Sequence, residues 1–185
     1  MCSPDLWTRP PVNLSAILQL LSDVMAFEVL EAGVFNGDPH PGNILLTDDD
    51  RIGLIDYGQC KRFTLEERKL YCKLIVALAD DNRDEVVKLT TQMGARTKRM
   101  DPEVLYRLAA WWNDRDDDDI TGGKNLSDFM DEMEARDPTV SITKDHMLAC
   151  RASVLLRGMG NAFNIKMRIA PMWRPTAERV LREMH

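Results

Sequence analysis

The stretch FNGDPHPGNILLTDDDRIGLIDYGQ, residues 35–59, decides the fold. Two short apolar runs, NILL at 43–46 and IGLI at 52–55, flank the polar TDDDR. That order reads as strand, turn, strand: a small hairpin. Two strands do not stand alone in water, so the hairpin must lie against something larger. Its flanks hold Asp38, Asn43 and Asp56, with Asn43 five positions after Asp38 and Asp56 thirteen after Asn43. Asp-Pro, Pro-Gly and Asp-Asp-Asp are ordinary turn chemistry, and an Asp and an Asn five apart fit a bland hairpin as well as a site. The ordered whole points to a site: loop, Asn opening a strand, polar turn, second strand, Asp-Tyr-Gly.

Outward from the hairpin the chain is helical. Ile17, Leu18, Leu21, Val24, Met25 and Val29 recur at near-helical spacing, predicting a helix over 14–31 that Gly33 stops. Thr64 with Glu67 forms a capping box ahead of LEERKLYCKLIVALA, and Asn82 with Glu85 does the same for a helix reaching Met93, with Gly94 to end it. Asp101 and Pro102 open EVLYRLAAWW, whose Trp111 and Trp112 cover a helix face. Residues 113–125, NDRDDDDITGGKN, carry too much like charge to pack and read as a loop. Its DDDD lacks the alternating ligands, central Gly and closing Glu of an EF-hand loop. A short helix covers 127–135 and Pro138 breaks it. Thr143 caps a long helix to residue 163, and Pro171 and Pro175 precede a last helix, TAERVLREM. LLRGMG, 155–160, reads as helix made thin for close packing, with Arg151 and Arg157 placed to pair with carboxylates near the loop.

The 185 residues suffice for one domain with a real core, and 44% hydrophobic with 29% charged residues is ordinary globular composition. A net charge of −6 gives no basic footprint for nucleic acid, and interspersed signs give no polybasic membrane patch. No apolar run approaches the length of a membrane span. MCSPDLWTRPPVN, residues 1–13, has neither a signal-peptide core nor a transit-type helix and reads as a tail. Cys2, Cys60, Cys72 and Cys150 form no C-x-x-C pair and do not cluster with the histidines, so no zinc site is expected. They fit a reducing compartment, as small buried hydrophobes.

The spacing of Asp38, Asn43 and Asp56 is similar to that of protein kinases. There a catalytic-loop Asp sits by the acceptor hydroxyl, an Asn five residues on holds a metal ion, and a hairpin returns the Asp of Asp-Phe-Gly to magnesium. Hard oxygen ligands of this kind suit magnesium, which keeps waters and shares phosphate oxygens. More closely, DPHPGNILL…IGLIDYGQCKRF resembles the UbiB family of atypical kinases, the aarF-domain-containing proteins. That family carries Phe-His-Ala before DPHPGN, and Ile-Asp-Phe-Gly-Gln before a basic residue. LLRGMGNAFNIKMRIAPMWRPTAERVL, 155–181, is similar to its closing segment, and the resemblance spans roughly residues 14–184.

The resemblance implies Asp38 as the catalytic-loop Asp and Asn43 and Asp56 as magnesium ligands. It adds His40 and Gly58 to the cofactor-binding set. His40 either hydrogen-bonds the loop or does acid–base work, Tyr57 takes the packing role of the usual Phe, and Gly58 lets the chain turn sharply. It further implies Mg2+ and ATP as cofactors, phosphoryl transfer or ATP hydrolysis, and prenylquinone-pathway lipids or proteins as partners. The setting it implies is mitochondrion or plastid, peripheral to a membrane. Two residues depart from the family pattern: Asn36 stands for His and Gly37 for Ala. An amide hydrogen-bonds a loop backbone but carries no proton charge, and Gly37 adds backbone freedom. The family's Lys-x-Gly-Gln stretch and alanine-rich loop have no counterpart in the 185 residues. The expected fold is therefore mainly α with a small β-hairpin. It is a protein-kinase-like C-lobe over 14–185 with the N-lobe absent: catalytic loop 36–43, Asp-Tyr-Gly 56–58, helical remainder 64–185. The same residues fit a second class, a non-catalytic helical binding or regulatory domain derived from a kinase.

Overall fold

A computed structural model describes residues 13–38, 40–47, 51–142 and 144–184. All but the last residue of the expected tail, the Thr143 cap, Cys2 and the three Asp of the hairpin tip lie outside the described residues. Helix α1 (Leu14–Ala26) opens where Asn13 Oδ1 accepts from Ala16 N–H at 3.1 Å. It does not run on as α-helix to residue 31. Phe27–Ala32 widen into a π-helical segment that ends at Gly33, φ 65°, and this segment buries Val29 and Leu30. Strand β1 (Val34–Asn36) follows, then a 3-10 turn (Pro41–Asn43), β2 (Ile44–Leu46), β3 (Ile52–Leu54) and β4 (Cys60–Arg62).

The hairpin is β2 against β3, with Ile44 opposite Leu54 and Leu46 opposite Ile52. Thr47 Oγ1 accepts from Arg51 N–H at 3.0 Å where the tip closes. A second antiparallel pair, not expected from sequence, joins β1 to β4. Neither strand is long enough to show an alternating pattern, and their partners lie far apart in the chain.

The remainder is helical. α2 (Leu65–Ala79) carries the expected complete capping box of Thr64 and Glu67. α3 (Arg83–Gln92) starts from Asn82, whose Oδ1 accepts from Glu85 N–H at 3.2 Å. Gly94 turns the chain at φ 95°, β5 (Arg96–Thr97) follows, and α4 (Pro102–Asn113) begins at the Asp101 cap. After it come α5 (Asp118–Thr121), α6 (Leu126–Arg136), β6 (Thr139–Ser141), α7 (Lys144–Ala162) and α8 (Ile169–Glu183). β5 and β6 form a third small pair. The architecture is thus mainly helical with small antiparallel pairs.

Three further expectations are corrected. The loop over 113–125 contains α5, capped by Asp117 and anchored by fully buried Ile120. Its acidic run packs because arginines face it: Arg157 reaches Asp116 at 3.5 Å, while Arg115 lies 3.8 Å from Asp117 and 3.0 Å from Asp81. The last helix starts before Pro171, not after Pro175. Pro171 falls in the first turn, where a backbone N–H has no intrahelical partner. Pro175 removes one interior bond, and burial of Trp173 and Ala177 on either side of it holds the helix on its course. In LLRGMG only Gly160 is needed for close packing. A Cβ there would sit 2.5 Å from the Ile165 carbonyl oxygen, whereas one on Gly158 would meet nothing.

α8 packs along α2 and reaches α1, where buried Trp173 donates its indole N–H to Ser22 Oγ at 3.0 Å. Phe63 joins this core to β1, its ring centroid 4.9 Å from Phe35 and 5.6 Å from Tyr71. Trp111 is buried and meets Trp112 edge-on at 4.8 Å. Cys72 and Cys150 are buried, which pushes both thiols up to about 12, while Cys60 is exposed. Among the described residues no helix is long and apolar enough to cross a membrane.

Candidate active site

β1 and β4 form the base of the site. Their register sets Asn36 opposite Cys60, and Gly37 N–H donates to the Gln59 carbonyl at 2.9 Å. The loop leaving β1 and the Asp-Tyr-Gly segment entering β4 therefore start side by side. Gly37 serves this approach rather than backbone freedom. Its φ is not in the left-handed region, and a Cβ there would lie 2.9 Å from the Gln59 oxygen, closer than real Cβ atoms come.

Asn36 joins the two segments. Its Nδ2 donates to the Asp56 carbonyl at 3.0 Å, and its Oδ1 accepts from Asp38 N–H at 2.9 Å. Its own N–H points to Glu28 Oε2 at 3.4 Å, from the π-helical segment. Burial raises the Glu28 carboxyl above its ordinary value, and the Asn36 N–H partly opposes this. Tyr57 is also raised, first by desolvation, then by the nearby charges of Glu28 and Cys60. Glu28 was not legible as a neighbour of the site, because α-helical spacing gives no sign of the wider turn that carries it.

The sharp turn expected at Gly58 sits two residues earlier. Asp56 has φ 62°, and Asp is among the few side chains that tolerate this region. Gly58 donates its N–H to Asp56 Oδ1 at 3.1 Å, and a Cβ on it would press on that same oxygen. Tyr57 does not take an inward packing role: it is 48% exposed. His40 caps the 3-10 turn, with Nδ1 accepting from Gly42 N–H at 3.0 Å. In the neutral ring the hydrogen is then on Nε2. Asn43 donates its N–H to the His40 carbonyl at 2.8 Å, and its own carbonyl accepts from Ile55 N–H at 2.9 Å, next to Asp56. The fold thus ties the backbones of Asp38 and Asp56 through the Asn36 amide, and sets Asn43 across the hairpin from Ile55, next to Asp56.

Arg151 from α7 donates to Asp38 Oδ1 at 2.9 Å, as its expected pairing with a loop carboxylate required. Arg157 does not reach the loop. It is buried, donates to the Trp111 carbonyl and pairs with Asp116. Chemically, Asp38, Asn43 and Asp56 offer hard oxygen acceptors that suit a magnesium ion. Among the described residues no three His, Cys, Asp or Glu side chains lie close enough to hold a metal by themselves. A cation here would need the Asn43 amide oxygen and oxygens from water or ligand.

Residues 6–90 match the family model of the ABC1 atypical kinase-like domain, a span that holds the loop, the hairpin and α2. The chain is similar to the protein ACTIVITY OF BC1 COMPLEX KINASE 1, chloroplastic, of Arabidopsis thaliana, at 29% identity over 120 residues. That alignment covers 64% of this chain and 17% of the relative. It is also similar to ACTIVITY OF BC1 COMPLEX KINASE 3, chloroplastic, at 39% over 57 residues, which are 31% of this chain and 8% of that protein. An uncharacterized Synechocystis protein matches at 34% over 68 residues, 37% of this chain and 17% of its own length. The matched region is thus a small part of each of these relatives. The two Arabidopsis proteins are UbiB-family members, so the resemblance to the UbiB family is supported over residues 6–90, which match the ABC1 atypical kinase-like domain.

Proposed function

We propose that the site binds magnesium and ATP as part of an ABC1-type kinase-like fold, for phosphoryl transfer or ATP hydrolysis. Asn43 and Asp56 hold the cation, Asp38 faces the acceptor group, and His40 and Gly58 keep the loop and the Asp56 carboxylate in shape. Magnesium would neutralise charge on the phosphate oxygens it shares with the protein. The observation that carries this reading is the Asn36 bridge. One side chain, 9% exposed, bonds both the catalytic loop and Asp56, so the two oxygen-bearing segments are fixed relative to each other before any ligand arrives.

In this reading residues 14–185 are the C-lobe. The resemblance points to prenylquinone-pathway lipids or proteins as acceptors, and the chloroplastic relatives favour a plastid over a mitochondrion. Calorimetric titration of the chain with millimolar ATP, with and without magnesium, tests the reading. Magnesium-dependent heat that Asp56→Asn abolishes is expected. Unchanged binding by that variant, or no heat from the wild type, overturns it in favour of a non-catalytic domain.

A further inference from the structure

The loop supplies almost no positive charge for a phosphate. Residues 36–43 contain neither Lys nor Arg, and the one imidazole, His40, turns Nδ1 inward to Gly42. A cation comes instead from α7, where Arg151 bonds Asp38 across 113 residues of chain. Two features set this arginine apart from those buried in the fold. The Arg151 side chain is 41% exposed. Among the described residues its guanidinium makes this one hydrogen bond, leaving most of its N–H donors open. Arg157 and Arg107, by contrast, are buried and donate to backbone carbonyls of the fold.

The arginine is also held in place. It borders an apolar groove with Trp112, Met147, Leu148, Val154 and Leu155, and Leu148 lies against Gly37 at the start of the loop. An aliphatic stem along such a groove keeps the charged head at the loop's edge.

We propose that Arg151 is a phosphate-binding residue of the site, holding Asp38 with one N–H and turning its remaining donors to the terminal phosphoryl group of the nucleotide. The inference rests on the magnesium–nucleotide reading above and adds a residue to it. If Asp38 faces the acceptor, the terminal phosphoryl group lies beside its carboxylate. Two anions side by side repel unless a cation lies between them. A guanidinium can serve both at once, because its planar fork matches carboxylate and phosphate oxygens alike.

The test is calorimetry on the full chain with magnesium present, titrating ATP, ADP and adenosine into wild type, Arg151→Met and Arg151→Lys. Met keeps the stem over the groove and removes the charge, and Lys keeps the charge and removes the fork. The wild type is expected to prefer ATP to ADP. Arg151→Met is expected to weaken ATP roughly tenfold, the loss of one charge-assisted contact, with ADP and adenosine close to wild type. Arg151→Lys should recover part of the loss. Equal weakening of ATP and ADP together with a lowered unfolding midpoint means a structural role and overturns the proposal. So does undiminished ATP affinity in Arg151→Met, or a wild type that does not discriminate ATP from ADP. A wild type with no magnesium-dependent nucleotide heat overturns the underlying reading itself, which the variants then do not decide.

Discussion

Asn36 and Gly37 depart from the family pattern, and both occupy positions where this fold makes close demands. Asn36 uses both ends of its amide, donor toward Asp56 and acceptor from Asp38, so its lack of a titrating proton does not interrupt the bridge. Gly37 admits the Gln59 carbonyl. Gly37→Ala should therefore force the two strands apart at the base of the site, costing about 1–3 kcal/mol as overpacking does. Denaturant unfolding reads the cost. A variant as stable as wild type would show that the base can relax. The candidate site residues stood out by local signals, turn residues and a polar-flanked hairpin, while their roles came from the resemblance. Their remote partners were not: an Asn two positions before Asp38 can close a local turn, but nothing nearby points from Asn36 to the Asp56 carbonyl, and Glu28 approaches only because the helix widens.

Asp137 shows how elements are tied at a distance from the site. It follows α6, and its buried carboxylate accepts from Thr97 Oγ1 at 2.6 Å, Arg99 N–H at 2.7 Å and Asp101 N–H at 2.8 Å. One side chain thus fastens the end of α6 to β5 and to the start of α4. Burial alone would raise its pKa, but the bonds from Thr97, Asp101 and Arg99 outweigh it and hold the carboxyl below its ordinary value. Asp101 is held low as well, first by its bond from Arg136. A carboxylate depressed in the folded state contributes stability above its unfolded pKa, near 3.9, and loses it as pH falls through the folded value. The wild type should lose stability on acidification below about pH 4. Asp137→Asn should be less stable at neutral pH and should fall less over that acid range, as thermal midpoints at several pH values would show. A parallel fall in both proteins would remove Asp137 as a source of the dependence. The caps at Thr64, Asn82 and Asp101 were legible because each acts within one turn of its own helix. The β5–β6 pair that Asp137 adjoins was not, because two- and three-residue strands carry no periodicity.

The molecule as a whole is held by α8 against α1 and α2. Trp173 is fully buried at that junction and joins it to Ser22. Trp173→Ala should cost about 3–5 kcal/mol. Trp173→Phe should cost less, mainly the Ser22 hydroxyl left without its partner, about 1–3 kcal/mol. Both losses should appear in one cooperative unfolding transition followed by far-UV circular dichroism, since α8 touches both earlier helices. A separate early transition for α8 would contradict that coupling. The exposed pairs Arg174–Asp80 and Arg179–Glu31 at the same junction add little beside it.

By itself the sequence determined the helices that begin at strong caps, the hairpin between two short apolar runs, and the oxygen-bearing residues around it. Each of these depends on groups a few positions apart, where propensity and capping act. Tertiary structure decided the rest. The β1–β4 pairing that closes the base of the site joins residues separated by the whole hairpin. The Arg151–Asp38 contact requires α7 to pack beside the loop. The acidic run folds into α5 because Arg157 of α7 faces it, and α8 passes through Pro175 because Trp173 has a core to enter. In every case the deciding partner is remote in sequence, so the free energy that favours the arrangement appears only once the chain has closed around its core.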